Sequence, residues 1–262
     1  MTYDTITYEV ADSVAILTLN RPDKLNAISA ELRADVRGAL GVARADDSVR
    51  ALILTGAGRG FCSGADLTVS SPAAGIDQNS RLDEMGWVGQ WATDFHDFDK
   101  PLIGAINGVC AGAGMSAALA CDVRIGSADA RFKTTFVERN LSPDSGMSWF
   151  LPRIVGYAAA ADLVLTSRMV LAPEALSLGL LNRLVEGDLL QAAVAYAREM
   201  TRWPPLAVRM AKTVLQNNQD ADLATALRYE SVGLGIARRA ISDSKESAAS
   251  FREKRQGHYT GT

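Results

Sequence analysis

A glycine-rich segment at residues 56–60 (GAGRG) is the first part of the sequence whose residue types suggest chemistry. It follows an apolar run typical of a buried strand, and a strand followed by glycines opens the dinucleotide-binding motif G-x-G-x-x-G. That motif needs a glycine five residues after the first, and Phe61 occupies this position. The sequence therefore predicts no bound nicotinamide or flavin dinucleotide.

Nucleophilic and metal-assisted chemistry also lack the residues that they need. No G-x-S-x-G pentapeptide, which would expose a serine nucleophile, occurs in the chain. Cys62, Cys110 and Cys121 show no C-x-x-C spacing. With His96 and His258 as the only histidines, they cannot assemble a typical Cys/His zinc site. We therefore expect no metal and no disulfide, and we interpret both histidines as surface or packing residues.

The composition is that of an ordinary globular protein. The 262 residues are 48% hydrophobic and 22% charged, which suits one large domain or one domain with a helical appendage. A net charge of -3 gives no cationic field for a phosphate backbone, so we expect no nucleic-acid partner. The N-terminal residues have neither an apolar signal nor an Arg-rich presequence, which predicts a cytoplasmic protein.

One uncharged stretch, residues 101–121, is long enough to span a membrane. The turn signal Asn107-Gly108 divides it into a strand and a short helix. We therefore expect it to form buried core, and we predict no membrane association.

Strands and helices alternate through the first two thirds of the chain. Alternating apolar residues predict a hairpin over the first twenty residues, and Ser29 is expected to cap the following helix. Further strands are predicted at residues 49–54, 102–106 and 122–126, and further helices at 114–120 and about 146–166, the last broken by Pro152 and Gly156. This alternation indicates an α/β fold.

Residues 68–80 are rich in small and polar residues and predict a mobile surface flap. A helix with Trp87, Trp91 and Phe95 follows. Its aromatic side chains suit either an acyl pocket or plain core, and we favour core for at least one of them.

After Val185 the pattern is almost wholly helical, with helices predicted at 189–202, 206–216, 223–240 and 243–255. Helices with apolar stripes but no sheet to cover pack on a neighbouring subunit or back onto the parent domain. We therefore expect an oligomer.

Several segments resemble the crotonase (enoyl-CoA hydratase/isomerase) superfamily in order and spacing, across nearly the whole chain. They are 20–27 (NRPDKLNA), 60–67 (GFCSGADL), 106–114 (INGVCAGAG), 121–122 (CD), and the late marks 172–175 (APEA) with 179–180 (GL) and 251–255 (FREKR). The resemblance implies a spiral of repeated β-β-α units. It also implies a core over residues 1–200 and a helical region over 201–262 that assembles a homotrimer or a dimer of trimers.

The resemblance further implies an acyl-CoA thioester as substrate, with coenzyme A as part of the substrate and no separate cofactor. Loss of a proton beside the thioester places negative charge on its oxygen, which two backbone N–H groups can stabilise. By resemblance these donors belong to Ala65 and Ala113, with Gly114 as an alternative. Small residues let the backbone approach closely, and a helix N-terminus adds partial positive charge.

Substrate-binding residues are also carried over by resemblance, in the two oxyanion turns and near the adenine end. They are Ser63, Gly64, Asp66, Leu67, Gly112 and Gly114 in the turns, and Lys24, Asn26 and Ala27 near the adenine. For Asp66 the residue itself favours a structural role, because an aspartate in a turn accepts backbone hydrogen bonds.

The sequence departs from the family's hydratases where they carry two catalytic glutamates. Ser116 and Phe136 occupy those places, and neither is a carboxylate. Water addition is therefore disfavoured, and Phe136 should make the site drier. Glu138 lies near the missing glutamate but is offset by two, so we interpret it as structural.

A different carboxylate stands in residues 141–153 (LSPDSGMSWFLPR), which resemble the loop of the phenylacetate-pathway epoxide isomerase branch. There an aspartate faces the acyl chain, which implies that Asp144 is the catalytic proton shuttle, with Phe136 and Trp149 as its apolar neighbours in the substrate pocket. One carboxylate can move a proton between two carbons, which shifts a double bond. The alternative is that Asp144 only caps the following helix.

Other functions remain open at this point. The dehalogenase relatives that act on 4-chlorobenzoyl-CoA also carry an aspartate on this loop, but they have a tryptophan where Phe136 stands and a histidine where Gly89 aligns. An enoyl-CoA hydratase and a non-catalytic acyl-CoA binder are further alternatives. A pure binder has no need of Asp144 in a dry pocket, so this residue favours an enzyme, and an isomerase over a hydratase. The acyl group itself is not indicated by the sequence.

Overall fold

The computed structural model describes residues 3–68 and 83–262. Apart from Thr68, the flap predicted at 68–80 lies outside these residues. The chain begins with the predicted hairpin, strands β1 (Ile6–Ala11) and β2 (Val14–Leu19), which pair antiparallel. Asp12 and Ser13 make the turn with φ of 50° and 65°, in the left-handed region that a two-residue hairpin turn requires.

The strands form two sheets. Three consecutive pairs of strands, each followed by a helix, give one strand to each sheet. A six-stranded sheet has the order β1-β2-β3-β5-β7-β10, with β3 (Ala51–Gly56), β5 (Leu102–Ile106), β7 (Val123–Ser127) and β10 (Arg183–Val185). A four-stranded sheet has the order β4-β6-β8-β9, with β4 (Gly60–Cys62), β6 (Val109–Ala111), β8 (Arg131–Lys133) and β9 (Val170–Leu171). Except at β1–β2 and β8–β9, the pairs are parallel. This is the predicted β-β-α spiral.

Helices follow the strands and then dominate the C-terminal part. They are α1 (Ala30–Ala45), α2 (Gly86–His96), α3 (Ala113–Ala120), α4 (Met147–Val155), α5 (Tyr157–Thr166), α6 (Ala172–Leu178), α7 (Leu189–Thr201), α8 (Pro205–Asn217), α9 (Leu223–Ala237) and α10 (Ile241–Glu253). Ser29 caps α1 as predicted, because its Oγ accepts the Leu32 N–H at 3.2 Å. The predicted break between two helices in this region is confirmed. It lies at Gly156, with φ of 80°, which separates α4 from α5, whereas Pro152 lies inside α4.

The uncharged stretch 101–121 forms the predicted buried core. Every residue of β5 and α3 is buried. Aliphatic and aromatic side chains from α1, α2 and the sheets pack with α3 in one cluster. Within the described ranges, no helix is long and apolar enough to cross a membrane.

Part of the C-terminal region packs back onto the parent domain. Lys212 of α8 forms an ion pair with Asp122 at 2.8 Å and donates to the Lys100 carbonyl at 3.0 Å. The buried carboxylate of Asp243 accepts the N–H groups of Thr260 and Gly261 at 2.7 and 2.9 Å, which ties the C-terminal residues to α10. These contacts fix α8 against the end of the six-stranded sheet at which β5 and β7 begin.

Candidate active site

The turn that follows β4 presents the N–H of Ala65. Ala65 forms a single parallel bridge with Ile28, in which the Ile28 N–H donates to the Gly64 carbonyl at 2.8 Å and the Asp66 N–H donates to the Ile28 carbonyl at 3.1 Å. In such a bridge the N–H of the central residue points away from its partner. Over residues 3–68 and 83–262, no acceptor contacts this N–H.

The start of α3 presents a second free donor. Gly112 has φ of 50° and ψ of -128°, a conformation that glycine alone adopts readily, and it turns the chain from β6 into the helix. The Ala113 N–H is one of the four that the first turn of a helix leaves unbonded. No acceptor for it occurs in the described part of the chain. The two predicted oxyanion donors are thus both unpaired.

The two turns lie side by side. A β-carbon built on Gly64 would lie 3.6 Å from the Ala113 nitrogen and 3.0 Å from the Ala111 carbonyl oxygen. Gly64 itself has φ of 92°. This close approach therefore needs glycine at position 64. Two N–H donors from adjacent turns, one of them at a helix N-terminus, can stabilise negative charge that develops on a carbonyl oxygen.

Asp66 holds the first turn in place. Its carboxylate, only 4% exposed, forms an ion pair with Arg21 at 2.8 Å and accepts the Thr68 hydroxyl at 2.6 Å and the Thr68 N–H at 3.1 Å. These hydrogen bonds, that of the Thr68 hydroxyl first and that of Arg21 next, lower the pKa of Asp66 to about 2. The side chain is therefore ionised and engaged within the protein, in agreement with the structural role that its residue type favoured.

The predicted adenine-end residues fall into two groups. Asn26 is fully buried, and its side chain accepts the Arg21 N–H at 2.8 Å and donates to the Gly60 carbonyl at 2.8 Å. It therefore ties two loops together, and its place near the adenine end of the substrate stays a prediction. Ala27 is also buried, whereas Lys24 is exposed.

The remaining turn residues differ in accessibility. Leu67 is exposed, and Ser63 is half-buried with its hydroxyl donating to the Lys24 carbonyl at 3.3 Å. Gly112 and Gly114 are buried. A β-carbon at Gly114 would lie 2.4 Å from the Cys62 carbonyl oxygen, so α3 begins in direct contact with β4.

Asp144 lies beside α3, one helical turn beyond Ala113. The Ser116 hydroxyl donates to the Asp144 backbone carbonyl at 3.4 Å, and residues three apart on a helix share a face. The Asp144 carboxylate is half-buried and accepts the Ser145 hydroxyl at 2.9 Å. Burial raises the pKa of Asp144, and the bond from Ser145 lowers it in part.

The fold does not use this carboxylate as a helix cap. The residue that precedes α4 is Gly146, with φ of 80°, and no side chain in the described structure caps this helix. The alternative that Asp144 only caps α4 is therefore wrong. Its carboxylate is a titratable group that the surrounding backbone leaves unbonded.

The two positions at which the family's hydratases carry glutamates are buried in this protein. Ser116 and Phe136 are both buried, and Phe136 belongs to the hydrophobic core. Glu138 forms an ion pair with Lys133 at 2.6 Å, and hydrogen bonding to that lysine lowers the pKa of Glu138. This contact agrees with its interpretation as a structural residue.

The three buried cysteines are not activated nucleophiles. Burial raises the pKa of both Cys62 and Cys121 to about 12, and that of Cys110 also rises for the same reason. A thiol reacts as its thiolate, which these surroundings disfavour. Their contribution is therefore packing.

Trp149 lies in an aromatic cluster with His96 and Phe150. Its ring centroid is 5.3 Å from that of His96 and 5.0 Å from that of Phe150. The cluster lines a cavity of about 750 Å³, together with Asp122 and Lys212. This cavity lies at the C-terminal end of α3, whereas the free N–H groups lie at its N-terminal end. The assignment of Trp149 to the substrate pocket stays a prediction.

Trp91 was not singled out as a site residue by sequence reasoning. Trp91 and Phe95 are both fully buried, as favoured for at least one aromatic residue of this helix. The Trp91 indole N–H, however, donates to the Ala113 carbonyl at 3.0 Å. No local sequence signal indicates this bond, because it joins helices 22 residues apart.

Adjacent unpaired N–H groups at the carboxyl ends of two parallel strands, in a β-β-α spiral, are the arrangement that the resemblance to the crotonase superfamily implies. Residues 9–262 match the profile of the family described as enoyl-CoA hydratase/isomerase. The chain belongs to this family.

Several relatives cover nearly the whole chain. A probable enoyl-CoA hydratase of Rhodobacter capsulatus is 36% identical over 100% of both chains. The 1,2-epoxyphenylacetyl-CoA isomerase of Escherichia coli is 33% identical over 96% of this chain and 97% of its own. The crystal structure of a putative enoyl-CoA hydratase from Streptomyces coelicolor A3(2) superposes with a TM-score of 0.91 at 36% identity, over 100% of this chain and 96% of that one.

Proposed function

We propose that this protein is an acyl-CoA isomerase that shifts a double bond, or rearranges an epoxide, through a thioester enolate. The observation that carries the proposal is Asp144, a half-buried carboxylate beside Ser116 that the fold does not use as a cap. The name of the Escherichia coli relative supports an isomerase. Several other relatives bear hydratase names, which makes hydration the second candidate.

The proposed reaction needs one acid/base group and two donors. The thioester oxygen accepts the N–H groups of Ala65 and Ala113, and Asp144 removes a proton from a carbon of the acyl chain. The electron pair of that C–H bond moves to the thioester oxygen, where one such donor is worth about 3 kcal/mol. Asp144 then returns the proton to a different carbon as the carbonyl re-forms. Atoms and charge balance without a cofactor.

Hydration requires more than this site offers. Adding water to a double bond calls for a group that activates the water and a group that protonates the carbon. Buried Ser116 and Phe136 provide neither, and Asp144 alone serves one role at a time. The arrangement therefore favours proton transfer within the substrate over attack by water.

The test compares two thioesters of the same kind. We expect 3-hexenoyl-CoA to be converted to 2-hexenoyl-CoA at least about a hundredfold faster than crotonyl-CoA is hydrated, because only the first reaction needs a single acid/base group. Both reactions change the absorbance of the conjugated thioester, in opposite directions. Fast hydration of crotonyl-CoA would overturn the isomerase proposal. If neither thioester binds in a calorimetric titration at millimolar concentration, acyl-CoA chemistry is excluded altogether.

We also propose that residues 201–262 assemble a homotrimer or a dimer of trimers. Although α8 packs on the core, large apolar side chains of the C-terminal helices stay exposed, among them Leu223 at 75% and Phe251 at 85%. Exposed apolar surface of this extent is typical of an interaction face. Light scattering should therefore give three or six times the mass of one chain. A monomer at micromolar concentration would contradict this assembly and leave the proposed chemistry unaffected.

A further inference from the structure

The indole of Trp91 is hydrogen-bonded to Ala113, the residue whose N–H is a proposed oxyanion donor. Trp91 is 1% exposed, and its Nε1–H donates to the carbonyl of Ala113 at 3.0 Å. Its ring is held edge-on against Phe95, with centroids 4.9 Å apart. The donor is therefore fixed by packing on α2, while the acceptor belongs to the first residue of α3.

Ala113 needs such a fixed point because of the residue before it. Gly112 has an unusual conformation, with φ of 50° and ψ of -128°, and glycine is the residue with the widest choice of others. The Gly112 N–H donates to the Lys133 carbonyl at 3.0 Å, which holds the chain before the turn. The carbonyl of the Gly112–Ala113 peptide accepts the Ser116 N–H at 3.0 Å, and the Trp91 indole holds the carbonyl of the next peptide. The direction of the Ala113 N–H therefore depends on all three bonds.

We infer that Trp91 is a positioning residue, whose indole N–H fixes the first residue of α3 so that the oxyanion donor points at the thioester oxygen. The bond also withdraws electron density from the peptide between Ala113 and Gly114, which strengthens the Gly114 N–H as a donor. Trp91 therefore supports the oxyanion hole whether the thioester oxygen accepts the N–H of Ala113 or that of Gly114. This inference rests on the proposed function.

The bond does more than satisfy a buried indole. A buried Trp N–H needs an acceptor, and many carbonyls would serve that need equally. The acceptor here belongs to the residue that carries a proposed oxyanion donor. A structural role alone predicts that loss of the bond lowers stability, whereas a positioning role predicts that it also weakens polarisation of a bound thioester.

Cinnamoyl-CoA separates these two outcomes, since its conjugated absorbance shifts to longer wavelength when its carbonyl is polarised. We expect the wild-type protein to shift the spectrum and Trp91→Phe to lose at least half of that shift. The affinity for cinnamoyl-CoA should stay nearly unchanged. In the isomerase assay, kcat should fall about tenfold with little change in KM, because misdirected donors weaken the transition state more than the ground state.

Two further variants keep the test decisive. Trp91→benzothienylalanine preserves the ring shape and replaces only the N–H by sulfur, so it should reproduce the loss even if Trp91→Phe folds poorly. Phe98→Leu removes a fully buried ring just after α2 but leaves both the indole bond and the packing of Trp91 against Phe95, so it should keep the full shift. A full shift in either Trp91 variant, or an equal loss in Phe98→Leu, would overturn the inference and leave the proposed function standing. A wild-type protein that binds cinnamoyl-CoA without any shift would overturn both.

Discussion

Asp144→Asn should lower the rate of isomerisation at least about a hundredfold, the usual effect of removing a general base. Asparagine has nearly the same shape and keeps an acceptor for the Ser145 hydroxyl, so binding of the thioester should be preserved. The loss should therefore appear in kcat and not in KM. Steady-state kinetics with 3-hexenoyl-CoA and calorimetry with a saturated acyl-CoA measure the two quantities.

The pH dependence adds a second signature of Asp144. Burial raises the pKa of Asp144 above its ordinary value, and a base must be deprotonated to accept a proton. The wild-type kcat/KM should rise with pH, with a midpoint above the ordinary aspartate value of about 3.9. Asp144→Asn should lack this rise. A profile that is identical in both proteins would assign the titration to another group.

The raised pKa also sets the sign of the effect on stability. An acid whose pKa is higher in the folded than in the unfolded protein favours folding when protonated and opposes it when ionised. At neutral pH, above both values, the charged Asp144 therefore lowers stability, and this cost disappears below the unfolded pKa. Asp144→Asn should consequently be at least as stable as wild type in thermal unfolding at pH 7.

Glu138→Gln is the matched control for Asp144→Asn. Glu138 is a nearby carboxylate, but it forms an ion pair with Lys133. Its neutral variant should keep the wild-type rate and pH profile. An unchanged isomerisation rate in Asp144→Asn would show that Asp144 is not the proton shuttle. A lower rate in Glu138→Gln would assign that role to Glu138.

Features with local causes were predictable from the sequence. The hairpin follows from alternation over β1 and β2, and the start of α1 follows from one capping serine, Ser29. The break at Gly156 follows from a glycine that adopts φ of 80°. In each case, the residues that cause the structure are neighbours in the chain, so the pattern and its cause can be read together.

Features that depend on contacts between distant elements were not predictable in this way. The burial of Asn26 arises because its side chain bonds to the Gly60 carbonyl, 34 residues away. Pro152 lies inside α4 although proline disfavours a helix interior, and the break follows at Gly156. The bond from Trp91 to Ala113 joins two helices whose relative position no single segment specifies. The candidate site was identifiable from its motifs, but the groups that hold it in place were not.

Gly114→Ala should lower isomerase activity at least about a hundredfold, the typical effect of losing one oxyanion donor. A β-carbon at position 114 would lie 2.4 Å from the Cys62 carbonyl oxygen and 2.7 Å from the Cys62 sulfur. Strand β4, which carries Cys62, is held in the sheet by β6. The start of α3 must therefore move away from β4, and the Ala113 N–H moves with it. Kinetics and the cinnamoyl-CoA shift should both report the displacement.

Gly235→Ala is the matched control for this substitution. Gly235 lies in α9, where an added β-carbon meets no atom within 4 Å. Alanine in a helix is more favourable than glycine by up to about 1 kcal/mol, so this variant should be slightly more stable and fully active. A loss of activity in Gly235→Ala would mean that replacing a helical glycine by alanine lowers activity without any contact with β4.

A double variant tests which atom of Cys62 causes the displacement. Cys62→Ala removes the sulfur that would lie 2.7 Å from the new β-carbon, but it leaves the backbone oxygen at 2.4 Å and the β-carbon of residue 62 at 2.7 Å. If the contact with the backbone decides the position of α3, Cys62→Ala combined with Gly114→Ala should stay as inactive as Gly114→Ala alone. Recovery of activity and of the spectral shift would show that the sulfur was the obstacle. Full activity in Gly114→Ala itself would mean that the start of α3 does not place an oxyanion donor.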